Sequence, residues 1–583
     1  MRPPDARALL VLATTLVAGF GTVFRNGFAF DDDILILSNP TIKDGTLFWA
    51  TLFDSFFAET VNEGNLVFFR PLVKASYFAT YQLFGAVPWP YQTANLLLHL
   101  LNAWLVHRLA RTWLRLRARG ALAAALVFLL HPVQTEPVAW ISGRTDLMGV
   151  AGILGAVLLA WRWLLVPRPS TLALLLFVDL LGLLSKELAV ITPPVLAVLV
   201  WHRWPALRRR PGLPRRFAAL MILLLALTAL FFAVRAVALA GTESPEIWPT
   251  HSQHTWRFVI PGTVLLYVRL ILWPHPYTLD FNTGNFPVVT SPAEVTFLLW
   301  CAGCLALAAL TAGTLARRHL AGVALALFLL GVGPVSQLRP LVVIGCERYT
   351  YFPLIGGAVL AGAMVQRLRL SPRALAAAAV VLLASVSLWN ASRIRLWRDN
   401  LTLFTYAFEA NPADRHKQYV LAKVLLGLGR PGDALAVLHE NPMGRFDHPT
   451  HLELEGVALV NLGRTDEGIA RLRECVAMNM TPTCICAIGM VAIGSVDASG
   501  IRQTRCVAPR EPVPVDFYTL RVPSLPIELP GGRPSMELPN APPPRDTSSD
   551  GGSCSAAGDA GAGSFALVLF ALVGLAFVSR RRR

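Results

Sequence analysis

The sequence predicts an all-α polytopic membrane protein, and three observations predict it. Apolar runs of membrane-crossing length recur along the first two thirds of the chain, arginines gather in short clusters between them, and only 15% of residues are charged against 54% hydrophobic. Soluble domains carry about 25% charged residues. The net charge of +16 could suggest a nucleic-acid partner, but arginines confined to the gaps between apolar segments behave as orientation signals, so no nucleic acid is expected and the bilayer is.

Residues 1–7 carry Arg2 and Arg7, and residues 8–24 are apolar and long enough to span. No small-x-small cleavage site follows, so this segment reads as an uncleaved first helix with its N-terminus inside. Phe28-Ala29-Phe30-Asp31-Asp32-Asp33-Ile34 then lies outside, heading a loop (25–90) rich in Phe and Trp that contains Arg70. The run 91–109 returns to the basic cluster Arg108, Arg111, Arg115, Arg117 and Arg119. Residues 121–130 go out, and the polar connector 131–146 shares the face of the three aspartates. Segment 148–165 comes back to Arg162 and Arg168; a hairpin of 171–184 and 188–201 turns outside at Ser185-Lys186-Glu187 and returns to Arg203, Arg208 to Arg210, Arg215 and Arg216.

Segment 217–239 goes out to a polar loop holding His251 and His254. Were 258–273 to span, the next helix would carry Arg317 and Arg318 outside, so this stretch reads as interfacial or re-entrant. Segments 295–315, 321–335, 350–364 and 374–389 complete the set, giving about eleven spans, with everything from residue 390 external.

The external part has its own period. Leu428-Gly429-Arg430 recurs as Leu462-Gly463-Arg464, Asp433 as Glu467, Leu435 as Ile469 and Leu438 as Leu472, each shifted by 34 residues. That is the spacing of tetratricopeptide helix pairs, which assigns 390–480 to such repeats after a membrane domain of 1–389. Residues 481–563 are rich in Pro, Gly and Ser and read as an extended linker. Of the eight cysteines, Cys475, Cys484, Cys486, Cys506 and Cys554 crowd this last part, where an oxidising exterior favours disulfides of unspecified connectivity. Residues 564–583 are a short apolar run ending in four arginines. This tail resembles the C-terminal sorting signals of myxobacterial surface proteins, and a simple twelfth membrane helix is the alternative.

By parity, five charged groups converge outside: Asp31 to Asp33; Arg70; His131, Glu136, Arg144 and Asp146 of the connector; Lys186 and Glu187; and Glu347 with Arg348. Charges at membrane depth seldom stay unpaired, so the cations should meet these acids or an anionic ligand. Carboxylates beside cations at a lipid interface suit chemistry on a phosphate-linked lipid, with cations holding the leaving phosphate and an aspartate taking a hydroxyl proton.

The ordered set Phe30-Asp31-Asp32, Phe69-Arg70-Pro71-Leu72, Tyr91-Gln92-Thr93-Ala94-Asn95-Leu96-Leu97-Leu98-His99, His131-Pro132 to Asp146, Ser185-Lys186-Glu187 and Glu347-Arg348-Tyr349, followed by the repeats, resembles the transmembrane and tetratricopeptide-repeat O-mannosyltransferases over about residues 8 to 480. These belong to the GT-C glycosyltransferases, a group that includes the protein O-mannosyltransferases. The resemblance implies a GT-C-type helix bundle in a bacterial inner membrane with site and repeats facing the periplasm. It implies an inverting enzyme moving a sugar, mannose in the family, from a polyprenyl-phosphate donor to a hydroxyl of an exported protein. It makes Asp31 the general base, Asp32 its acidic partner, and Arg70, Arg144, Lys186 and Arg348 donor-phosphate contacts, with Asp33, His131, Glu136, Asp146, Glu187 and Glu347 in support. The sequence departs from the family in having Phe30 where Trp or Tyr is usual and in its third acid, so Asp32-Asp33 is a second register for the catalytic pair. The short repeat array leaves a glycan or lipid acceptor open beside a protein. The resemblance leaves a metal open: O-mannosyl relatives manage without one, oligosaccharyltransferase relatives use a divalent cation, and three aspartates could hold one. A non-catalytic scaffold that recruits an envelope protein through the repeats is the competing function.

Overall fold

In the computed structural model, the described residues are 3–60, 68–240, 255–282, 285–287, 289–341, 343–412, 414–440 and 449–478. The expectations for His251 and His254, for the linker 481–563 with Cys484, Cys486, Cys506 and Cys554, and for the tail 564–583 all lie outside them. The regular structure of the described residues is helical, apart from one isolated bridge between Phe281 and Gly345. It divides into two units, one running to Asn411 and one starting at Pro412.

Apolar composition and length produce the first unit. Among the described residues, five helices are long and apolar enough to cross a membrane: Ala6–Arg25, Ile141–Leu165, Leu213–Ala238, Val295–Ala316 and Arg373–Leu396. A sixth is added if the bent pair Ala118–Leu130 and Pro132–Ala139 counts as one span, and Pro169–Leu183, Leu320–Val335 and Leu354–Val365 are shorter apolar helices. The bend of 52° follows from Pro132, which lacks an N–H to continue the helical ladder. Glycines let helices meet at backbone distance. Gly152 faces Gly182, and Gly120 faces Gly362, with no room for a Cβ at Gly152, Gly120 or Gly362 and a tight fit, 3.2 Å from the Gly152 Cα, at Gly182. Helix Val259–Leu272, at about 21 Å by its rise per residue, is too short for a hydrocarbon core of about 30 Å and is not among the crossing helices.

Between the first helix and helix Pro88–Thr112, the chain builds a small apolar core. Leu35, Ile36, Ile42, Phe56, Phe57, Val73, Tyr77, Tyr91 and Ile141 are all buried in it. Helix Pro71–Phe84, started by its N-terminal proline, provides one wall. The connector 131–146 is buried throughout instead of forming a solvated loop. Its backbone is satisfied from inside: the Asn95 amide donates to the carbonyls of Trp140 and Ile141, both at 3.1 Å.

The second unit, in its described part, holds two helix pairs, Arg415–Gly427 with Pro431–His439 and Pro449–Asn461 with Thr465–Met478. The two intervening turns are alike. Gly429 and Gly463 take φ of 70° and 80°, and Arg430–Asp433 and Arg464–Glu467 pair at 2.6 Å. Cys475, in the last of these helices, is disulfide-bonded.

Candidate active site

The three aspartates follow the first helix at a turn that the backbone has to be held into. Phe30 has φ of 59°, a left-handed conformation that costs a bulky residue about 1–3 kcal/mol. Its ring is packed against Trp140, Phe404 and Trp397 at centroid separations of 5.4, 6.0 and 6.5 Å. The three carboxylates then part company. Asp32 is buried, with one oxygen accepting the N–H of Ala29 at 3.1 Å and the other accepting both the N–H and the hydroxyl of Ser142, at 2.9 and 2.6 Å. Asp33 accepts from the Asn400 amide at 2.7 Å. Asp31 is half-buried, and among the described residues no hydrogen bond or ion pair engages its carboxylate.

Burial pushes the Asp31 carboxyl up to about 6, against the pull of Arg348 and Arg70. Burial raises Asp32 further, to about 7, opposed by its bonds from Ser142 and Ala29 and assisted by the charge of Asp31. Of the two, Asp31 is the one without a hydrogen-bond or ion-pair partner among the described residues, so its carboxylate is the one open to an incoming hydroxyl.

Among the described residues, four ion pairs join the expected charged residues to one another and to Arg393. Arg70 reaches Glu187 at 3.4 Å and lies over Phe68 with 4.3 Å to the ring centroid. Lys186 is bonded to Asp146 and sits over the Tyr349 ring. Arg348 meets Glu136 through Nη1 at 2.6 Å and lies over Trp140 at 5.1 Å. Arg393 is bonded to Glu347, and also donates to Thr135 at 3.0 Å and to the carbonyl of Pro274 at 2.9 Å. The expected residues Arg70, Lys186, Glu187, Arg348, Glu136, Asp146 and Glu347 are therefore paired with one another, with Arg393 as the addition.

Two expected residues sit differently. Arg144 is buried and its donors go to neutral oxygens: Asn95 Oδ1, the carbonyl and hydroxyl of Ser76, the hydroxyl of Thr80 and the carbonyl of Tyr91. His131 bonds through Nε2 to the carbonyl of Ile271 and through Nδ1 to the N–H of Val133, which pins the bend of the broken helix. Ser142, Arg393 and Asn400 escaped the reading of the sequence. A lone Ser or Asn in a loop carries no signal by itself, and Arg393 reads as a basic end to an apolar helix. Among the described residues no group of three or more His, Cys, Asp or Glu is arranged to hold a metal, and the three aspartates, turned to different partners, do not form one ligand set.

The fold and the site together define a multi-pass helical membrane protein with an ion-paired acid cluster at one end of its helices. The relatives of the chain give that class a family resemblance, to the O-mannosyl-transferases of the transmembrane and tetratricopeptide-repeat kind. It is 30% identical to "Protein O-mannosyl-transferase Tmtc2" of Drosophila melanogaster over 281 residues, 46% of this chain and 29% of that protein. It is 25% identical to "Protein O-mannosyl-transferase TMTC3" of Mus musculus over 517 residues, 81% of this chain and 54% of that one. The chain thus spans no more than 54% of the length of these two relatives. No family model matches it. Among solved structures it is similar to ArnT from Cupriavidus metallidurans bound to undecaprenyl phosphate, at 18% identity and a TM-score of 0.38, covering 82% of this chain and 81% of that one; nothing further rests on so distant a likeness.

Proposed function

We propose that the chain is an inverting membrane glycosyltransferase that moves a sugar from a polyprenyl-phosphate donor to a hydroxyl, with Ser or Thr of an exported protein as acceptor. The observation that carries this reading is the Asp31 carboxylate, half-buried and unengaged among the described residues, within the electrostatic pull of Arg348 and Arg70. In the proposed step the acceptor oxygen attacks the anomeric carbon as the bond from that carbon to the phosphate oxygen breaks. The hydroxyl proton passes to Asp31 and the polyprenyl phosphate leaves with the electron pair.

Arg70, Lys186 and Arg348 hold the leaving phosphate in this scheme. Arg348 commits only Nη1 to Glu136, which leaves its remaining fork for a phosphate oxygen. Arg70, at 3.4 Å from a partly exposed glutamate, is the most loosely paired of the three and the easiest to redirect. Asp32 holds the connector through Ser142 in place of touching the substrate, and Arg144, with its donors occupied, stiffens the wall behind it. The relatives named as O-mannosyl-transferases make mannose and a protein acceptor the first to test. The helix pairs of the second unit, read as tetratricopeptide repeats, serve acceptor binding, and the site faces the periplasm.

The test is release of polyprenyl phosphate from polyprenyl-phosphate mannose by the full chain in proteoliposomes supplied with a Ser/Thr-rich peptide. Wild type is expected to release it and Asp31→Asn to lose at least about 100-fold in rate. Equal rates would remove Asp31 from the reaction.

A further inference from the structure

The turn that carries the aspartates is sewn to a segment some 370 residues away in sequence. The Asn26 amide donates to the carbonyl of Ile394 at 2.8 Å, and the N–H of Gly27 donates to the carbonyl of Arg398 at 2.8 Å. Gly27 lies close enough there that a Cβ would come within 3.3 Å of the same oxygen. The seam ends on Asn400, the first residue of helix Asn400–Ala410, which Asp399 caps through the N–H of Thr402 at 2.8 Å. Asn400 Oδ1 accepts the N–H of Phe30 at 2.6 Å, and its Nδ2 donates to Asp33 at 2.7 Å. One amide orientation fits, because the Phe30 N–H only donates and so must meet Oδ1, which leaves Nδ2 to face Asp33.

We propose that Asn400 is a positioning residue for sugar transfer: it grips the chain on both sides of Asp31-Asp32 and so sets where the Asp31 carboxylate stands. The inference rests on the reading of Asp31 as the base. Three observations support it. The two residues Asn400 bonds bracket the pair in sequence. Phe30, one of them, is held in a left-handed conformation that a relaxed chain would leave. The same helix supplies Phe404 to the aromatic box around the Phe30 ring. Helix, ring and amide thereby over-determine a strained turn whose product is a carboxylate without a partner. The Asn400 side chain bonds Phe30 and Asp33, and not Asp31, Arg70 or Arg348, so any effect on transfer acts through the turn.

Asn400→Ala and Asn400→Asp in the full chain, reconstituted with polyprenyl-phosphate mannose and a Ser/Thr-rich peptide, test this. Hydrogen exchange reports the clamp without any turnover. For Asn400→Ala, amides 29–33 are expected to exchange at least about tenfold faster while helix Arg144–Leu165 is unchanged, and turnover is expected to fall about tenfold to 100-fold with donor KM within about twofold. Asn400→Asp keeps an acceptor for Phe30 but places a carboxylate against Asp33, so the acid limb of its pH profile should move upward, a change that loss of fold does not make. Unaltered exchange at 29–33 overturns the clamp. Faster exchange with wild-type turnover and wild-type acid limb overturns its catalytic role. A wild-type chain that releases no polyprenyl phosphate overturns the parent reading and that role with it, and exchange then still decides whether the clamp exists.

Discussion

Asp31, Asp32 and Asp33 are neighbours in sequence and meet three different sets of surroundings in space. A carboxylate raised to about 6 is mostly ionised at pH 7 and protonated below 6, so a base of this kind loses activity as pH falls through about 6. The pH profile of transfer should show that acid limb. Arg70 pulls the Asp31 value down, so Arg70→Gln should move the limb to higher pH and raise donor KM; an unmoved limb would separate Arg70 from Asp31. Asp32 makes a structural prediction instead. Ser142→Ala removes a 2.6 Å hydroxyl donor from a buried carboxyl and should cost about 1–3 kcal/mol, read as a lower melting temperature in detergent.

At the scale of elements, the site is a set of joints between segments remote in sequence. Arg393 near the end of helix Pro372–Leu396 ties Glu347, Thr135 and Pro274 together. Arg393→Met leaves Glu347 buried and unpaired, at a cost of about 3–5 kcal/mol, whereas Arg393→Met with Glu347→Met should recover much of that loss. Thermal unfolding of the single and double variants distinguishes a joint from two independent charges. These joints mark the limit of what could be read beforehand. Arginine clusters and apolar runs are local signals, and they pointed to a bundle of apolar helices, with Asp31, Arg70, Lys186 and Arg348 expected on one face of it. The partner of each charge is not local: Arg70 and Glu187 are 117 residues apart, and Arg348 and Glu136 are 212 apart. Arg144 shows the converse, since a buried arginine beside acids in the sequence is satisfied by an amide, hydroxyls and carbonyls instead. The connector 131–146 reads only as polar, and it is buried because Asn95, Asp32 and Arg348 answer its polar groups.

Over the whole molecule, helix Asn400–Ala410 goes with the first unit, beyond the limit of 389 that hydropathy suggests, because its apolar face packs on Phe30 and its Tyr406 hydroxyl donates to the carbonyl of Tyr277. The 34-residue period was visible because each turn needs a glycine with positive φ followed by the same Arg-to-acid pair. If the second unit serves the acceptor, removing 412–478 should leave donor cleavage to water or a simple alcohol measurable while transfer to protein disappears; loss of both would tie that unit to the fold of the first. The most direct measurement of the central claim is mass spectrometry of exported Ser/Thr peptides and of polyprenyl-linked sugars from cells bearing wild type, Asp31→Asn or no copy of this chain. The account predicts that sugar-modified peptides vanish and the lipid-linked sugar accumulates equally in the last two. Peptides that stay glycosylated with Asp31→Asn, at wild-type levels of the protein, would contradict it.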